Sequence, residues 1–255
     1  MTQKKITVMI QARTGSTRLP GKALKKIEGK PIIWQMINRA KKIKSVQQII
    51  VITTRKKADK IFLKIAEDNG VLCFQGSEND VLDRHYKCAI KFDADPIIRI
   101  TSDCPLIDPN IVEKMLQIFL QNNYDYVTNR EPPTFPDGLD TEIFSFSALK
   151  KSDRFAKMSS EREHVNPYIV KNPKKFKSYN FRNKKDLSHL RWTVDEKNDL
   201  KFVRQIYSRM RPKTFFSTNA VLKLLTKEPA LQKINQGITR NEGYAKSLKH
   251  DKKVK

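Results

Sequence analysis

The sequence predicts an α/β fold in which a mostly parallel sheet is covered by helices on both faces. From residue 6 to about residue 120, short apolar runs of strand length alternate with segments of helical periodicity, and the connections between them are short. At 255 residues the chain can bury the core of one large domain, with at most a modest appendage. Right-handed crossovers leave few topologies for such a chain, and ligands of these sheets bind outside the carboxyl ends of the strands. The residues just after each apolar run are therefore the informative ones.

Ile6, Val8 and Ile10, with Met9 between them, read as a buried first strand that Gly15, Pro20 and Gly21 close off. Pro31 suits a first helical turn, and Ile32, Ile33, Met36, Ile37 and Ala40 then share one face. Residues 48–53 form a second strand, followed by a helix with Ala58, Ile61, Phe62, Ile65 and Ala66 inward that Asn69-Gly70 stops. Residues 71–74 are a third strand, and a helix from about Asp80 turns Val81, Leu82, Ala89 and Ile90 inward. Residues 96–101 are a fourth strand, leading to a helix with Ile111, Val112, Met115, Phe119 and Leu120.

The second half is less regular. Strands are expected at 124–128, 141–146, 176–181 and 190–194, a proline-rich loop at 131–140, and helices at 161–171 and 199–210, the latter with Leu200, Val203, Ile206 and Tyr207 inward. Ser217 or Thr218 caps a last helix that runs through Leu225.

A formal charge of +24 would ordinarily point to nucleic acid. Here lysine outnumbers arginine by more than two to one and is scattered in pairs without interleaved aromatics, the pattern of a solvated surface. The cluster at 246–255 reads as a frayed basic terminus. No run reaches the roughly 18 apolar residues of a membrane span, and residues 1–5 are polar, so a soluble, cytoplasmic protein is expected. Cys73, Cys88 and Cys104 are odd in number and lack CxxC or histidine pairing, which suits reduced thiols.

The loop after the first strand carries Arg13, Ser16, Thr17, Arg18 and Lys22 among its glycines, a set of fixed cations and hydroxyls suited to a polyphosphate. It is neither a Walker A loop nor a GxGxxG turn, and its bland alternative is a solvated loop. Other strand ends add Ser77, Asp83 and Arg84, then Asp103, then Asp195. Cations and carboxylates arriving together are what a triphosphate with Mg²⁺ requires, because carboxylate and phosphate oxygens share the metal while Arg and Lys neutralise the rest. Taken singly, Asp103 could be an Asx-turn residue before Pro105, and Asp195 a helix N-cap. His85 is expected to pack along its helix, and Trp34 and Trp192 to be core aromatics.

The stretches IQARTGSTRLPGKAL, GSENDVLDRHY, TSDCPLID, PDGLDTEIFS, EREHVNPYI and GITRNEGYAKSL together resemble the cytidylyltransferase family of the spore-coat polysaccharide type, related to acylneuraminate and 3-deoxy-manno-octulosonate cytidylyltransferases. The resemblance spans nearly the whole chain, in order. It implies a Rossmann-like three-layer sandwich of the nucleotide-diphospho-sugar transferase type, with CTP and Mg²⁺ as cosubstrate and cofactor, and a homodimer. By motif position it places Ala12 and Arg13 at the nucleotide, Arg18 and Lys22 at its phosphates, and Asp103 and Asp195 at the metal. Gly15, Ser16, Ser77, Asp83 and Arg84 complete the expected nucleotide site, and Arg18, Lys22 and Asp103 the catalytic set.

The sugar-acid enzymes usually carry Pro where Gln11 stands and differ around Asp103, which leaves the acceptor open. For the acceptor, Asp140 and Glu142 share one face of a strand, with Arg162 and His164 following; a surface salt-bridge network is the alternative. The domain is read as single, with an acceptor-binding and dimerisation portion near 129–190. The expected reaction is direct attack of an acceptor oxygen on the α-phosphorus of CTP with loss of pyrophosphate. Two rivals are a glycosyltransferase on the same architecture, which would consume a nucleotide-sugar, and a basic nucleic-acid-binding protein, which would bind duplexes with steep salt dependence.

Overall fold

The computed structural model describes residues 4–255. Strand β1 (Lys5–Gln11) and the small hairpin β2 (Lys26–Ile27) and β3 (Lys30–Pro31) precede helix α1 (Ile32–Ala40). Then come β4 (Gln48–Thr54), α2 (Ile61–Asp68), β5 (Leu72–Gly76), α3 (Val81–Lys91), β6 (Ala94–Thr101) and α4 (Pro109–Asn122). The remainder holds β7 (Tyr126–Thr128), β8 (Glu142–Phe144), α5 (Phe146–Phe155), α6 (Ser159–His164), α7 (Pro167–Val170), β9 (Ser178–Asn180), α8 (Lys197–Arg209), α9 (Thr218–Lys227) and α10 (Glu242–Lys249). The main sheet has the order β5-β4-β1-β6-β8-β7-β9. β8 alone runs antiparallel to its neighbours β6 and β7, so the sheet is mostly parallel, as expected.

Strand alternation divides the core in two. Val8, Ile10, Val51, Ile98 and Ile100 face one side, where α1, α2, α4, α8 and α9 pack. Met9, Ile50, Ile52 and Ile97 face the other, against α3, α5 and α7. Central strands buried on both faces explain their unbroken apolar runs and give the three-layer α/β sandwich.

Some details differ from the sequence pattern. Ile90 and Leu120 are half-exposed, because the inward stripes run through Leu82, His85 and Ala89 of α3 and through Val112, Leu116 and Phe119 of α4, one residue off those positions. The helix expected at 161–171 is two short ones: Val165 adopts a left-handed φ of 73°, and Pro167, which has no N–H, opens α7. Residues 190–194 are extended but join no sheet; Trp192 N–H donates to the Asp137 carbonyl (2.6 Å) and Val194 N–H to that of Asp103 (2.7 Å). Of the terminus read as frayed, residues 246–249 are the end of helix α10, which folds back over the carboxyl ends of the strands with no buried residue of its own, and the chain beyond is tied by backbone bonds of Lys252 with Ser159 and of Val254 with Lys157. Trp192 is a core residue, whereas Trp34 is half-buried with the Lys30 ammonium over its ring. Ser217 is the cap of α9, its hydroxyl accepting from Ala220 N–H.

Candidate active site

Beyond β1 the chain is pinned before it can carry charge outward. Ala12 N–H donates to the Ile52 carbonyl (3.0 Å), and the backbone N–H and hydroxyl of Thr14 both reach Asp59 Oδ1 (2.7 and 2.6 Å). Ser16 and Gly21 N–H then close on the Thr14 carbonyl (2.9 and 3.0 Å), and Gly21, at φ 64°, reverses the chain into a short 3₁₀ turn, Lys22–Leu24. This turn aims Lys22 inward.

The Lys22 ammonium lies between two carboxylates, donating to Asp103 and to Asp195 Oδ1 (2.7 Å). Burial opposes its charge, but the two carboxylates outweigh burial and raise its pKa. Burial also opposes ionisation of Asp103; the Lys22 ammonium and the Thr101 hydroxyl override it and hold that carboxyl down at about 2. Asp195 is brought alongside by the Val194–Asp103 backbone bond and bound on its other oxygen by Arg18 (3.0 Å) and Arg191 (3.3 Å). The helix cap falls to the next residue, Glu196, which leaves the Asp195 side chain in the cleft. Arg18 and Asp103, 85 positions apart, thus share one charge cluster through Asp195 and Lys22.

Two connected lobes open from this cluster. The outer, about 700 Å³, is bordered by Gly15, Ser16, Arg18, Lys246 and Ser247; the inner, about 300 Å³, by Arg99, Arg130, Asp140, Glu142, His164 and Tyr244. Arg13 borders both.

In the inner lobe Asp140 is paired with Arg240 and lies 3.9 Å from Arg130. Both oxygens of the buried Glu142 are engaged, one by Arg99 and one by the Tyr126 hydroxyl (2.7 Å), so this residue fixes the lobe's wall. The Nε atoms of Arg99, Arg130 and Arg240 are buried without a hydrogen-bond partner. His164 Nε2 lies 2.9 Å from the Ser247 hydroxyl, and burial lowers its pKa to about 4, which keeps the ring neutral at pH 7. Asp137 carries the opposite shift: burial, then the neighbouring Asp140, push its carboxyl up to about 6 despite Arg240 and Arg191.

Not every expected residue reaches the cleft. Arg162 is buried elsewhere, clamped between Asp80 (2.7 Å) and Asp153 (2.7 Å), where it ties α6 to the cap of α3; an acceptor-binding role is overturned by that engagement. Ser77 accepts from Asp80 N–H (3.1 Å) and Asp83 pairs with Lys87 on its own helix (2.9 Å), and neither borders the lobes. Arg84 is fully buried, donates Nη1 to the Ser77 carbonyl (2.6 Å) and has two further nitrogens without partners. Burial, and then the charges of Arg13 and Arg99, lower its pKa to about 10. Ala12 is buried in the core and borders neither lobe. His85 packs against its helix through the Val81 carbonyl (2.8 Å), as expected.

Sequence reasoning missed Arg99, Arg130, Asp137, Arg191, Arg240 and Glu242. Arg99 had a signal, a lone cation inside the apolar run PIIRIT. Arg240 and Glu242 stood in a stretch used only for its resemblance.

Residues 7–235 match the family model described as Cytidylyltransferase. The chain is 37% identical over 246 residues to an uncharacterized protein of Methanocaldococcus jannaschii, covering 94% of this chain and 98% of that one. It is 28% identical over 237 residues to the spore coat polysaccharide biosynthesis protein SpsF of Bacillus subtilis, covering 88% and 95%. Among solved structures, a cytidylyltransferase from Leptospira borgpetersenii superposes with a TM-score of 0.88 at 36% identity, covering 93% of this chain and 100% of that one.

Proposed function

The chain belongs to the cytidylyltransferase family, and from that premise we propose that it transfers CMP from CTP to an oxygen of a sugar, sugar acid, phosphate or phosphonate, releasing pyrophosphate, in the synthesis of a surface polysaccharide or glycan. The observation that carries this reading is the Lys22 ammonium between Asp103 and Asp195, with Arg18 on the far oxygen of Asp195. The spore-coat polysaccharide role named for the Bacillus subtilis relative supports the choice of pathway class.

Asp103 and Asp195 are the residues that would hold Mg²⁺. Their oxygens already converge on one cationic point, the Lys22 ammonium, and two carboxylates completed by phosphate oxygens are a donor set that a hard divalent ion takes. When bound, the ion supplies charge neutralisation at the phosphate oxygens. Lys22 and Arg18 would take the charge that builds on departing pyrophosphate. Arg13, which borders both lobes, would meet the nucleotide, and the buried Arg84 near it would add positive charge to that side of the site. Asp140 and His164 line the lobe in which the acceptor oxygen would approach the α-phosphorus in line, and the neutral ring of His164 can accept its proton or orient it. No protein nucleophile is needed, so orientation and preorganised charge supply the rate.

The reading includes a homodimer, a subunit contact in the portion near 129–190, and a cytoplasmic location. Among the described residues no helix is long and apolar enough to cross a membrane.

The test is pyrophosphate release from CTP with Mg²⁺ across a panel of sugar acids, phosphosugars and phosphonates. Release that depends on both CTP and one acceptor class is expected. Hydrolysis of a nucleotide-sugar without pyrophosphate would favour a glycosyltransferase, and duplex binding without CTP turnover a nucleic-acid-binding protein.

A further inference from the structure

The family match ends at residue 235, yet the chain beyond it forms a wall of both lobes. This segment is fastened on either side of α10. On one, Arg240 donates to the Phe135 carbonyl (3.0 Å) and pairs with Asp140. On the other, Asp251 accepts from the Ser159 hydroxyl (2.9 Å) and from the Ser160 N–H and hydroxyl (2.9 and 2.8 Å). Between these anchors α10 fully buries no side chain; its place over the cleft is set by polar partners and by the edge of Tyr244 against the His164 ring.

One of those partners is the cation assigned above to the phosphates. Arg18 is bracketed by two carboxylates, with Nη2 on Asp195 (3.0 Å) and Nη1 on Glu242 (3.3 Å). A phosphate that takes the same Nη donors of Arg18 competes with one of these carboxylates. Asp195 is held by Arg18, Lys22 and Arg191 together, whereas among the described residues Glu242 pairs with Arg18 only, and its side chain is 43% exposed. Glu242 is the weaker-held carboxylate and the one that leaves.

Resting on the CTP reading, we infer that Glu242 is a specificity-determining residue: its carboxylate fills the anion seat on Arg18 and surrenders it to the β- and γ-phosphates of a polyphosphate. A ligand that reaches Arg18 competes with Glu242 and one that does not is indifferent to it. CTP and pyrophosphate belong to the first kind, and CMP, with the α-phosphate alone, to the second. After transfer and loss of pyrophosphate, the return of Glu242 to Arg18 disfavours rebinding of the pyrophosphate just released.

Isothermal titration calorimetry of the full chain in Mg²⁺ tests this with CTP, pyrophosphate and CMP as probes. Glu242→Gln should tighten CTP and pyrophosphate by about threefold, the scale of a partly exposed ion pair, and leave CMP unchanged. In an Arg18→Gln background the same substitution should have no effect on CTP. The inference is overturned by unchanged or weaker CTP and pyrophosphate binding, by equal tightening of CMP, or by the same gain without Arg18. If the wild type binds pyrophosphate but not CTP, the nucleotide reading fails and pyrophosphate alone decides the role of Glu242; if it binds neither, both fall.

Discussion

Up to the end of α4 the chain is organised by apolar packing: Val8, Ile10, Val51, Ile98 and Met115 are fully buried or nearly so, and strands five to eight residues long carry the main sheet. Beyond α4 the strands of that sheet are three residues long, and the segments that wall the cleft are fixed by partnered charges, Arg191 with Asp199 and Asp137, Arg240 with Asp140, Arg99 with Glu142. The first region makes a platform whose strand ends deliver Lys22 and Asp103. The second holds its functional groups in place by making them one another's partners. Its stability and its chemistry therefore rest on the same side chains, and substitutions there should disturb both.

The sharpest break in that comparison is Glu142→Ala. It leaves the buried Arg99 guanidinium without its closest carboxylate and the Tyr126 O–H without its acceptor, with Gln11 and Asn166 as their remaining partners, and breaking such a buried pair costs about 3–5 kcal/mol. Urea unfolding should show that loss, and a loss under about 1 kcal/mol would mean the pair is solvated and the second region is held otherwise. Next comes Gly138→Ala. Gly138 has φ 107°, and a Cβ there would sit 2.5 Å from Thr193 N, a backbone atom that cannot turn aside. About 2–3 kcal/mol of destabilisation is expected, together with slower turnover because Thr193 leads to Asp195.

Asp137 gives the smallest effect and the one that depends on pH. Its carboxyl is raised from an ordinary 3.8 to about 6 by burial and by Asp140. Between those values the folded chain holds a proton that the unfolded chain has lost, so this contribution to stability is complete below about pH 4 and disappears as pH rises through about 6. The stability of Asp137→Asn relative to wild type should therefore rise by on the order of 2 kcal/mol between pH 4 and pH 8. A difference independent of pH would show that Arg191 and Arg240 fully compensate the buried charge.

The same division decides what could be read from sequence. Ile32, Ile33, Met36, Ile37 and Ala40 announce α1 because a core face imposes a 3.6-residue period, and all five are buried. The loop from Arg13 to Lys22 was legible because glycines, a proline and cations follow a buried strand directly. Arg162 misled because an arginine near a predicted site gives no sign that two acids, Asp80 and Asp153, already claim it. Residues 190–194 misled because a strand pattern records burial of Trp192 and Val194, not whether the backbone partner is a sheet or a loop. Helix α10 escaped because it buries no residue and its contacts, such as Ser247 and Tyr244 with His164, are few and distant in sequence, which leaves no periodic apolar trace.

The most direct test of the cleft is steady-state pyrophosphate release from CTP by Asp103→Asn, measured beside the wild type with the same acceptor. A fall of about 10²-fold in turnover by a folded variant is expected, the scale of losing one preorganised electrostatic partner. A wild-type rate from that variant would contradict the central claim that charges from distant parts of the chain meet at Lys22, Asp103 and Asp195 to hold the reacting triphosphate.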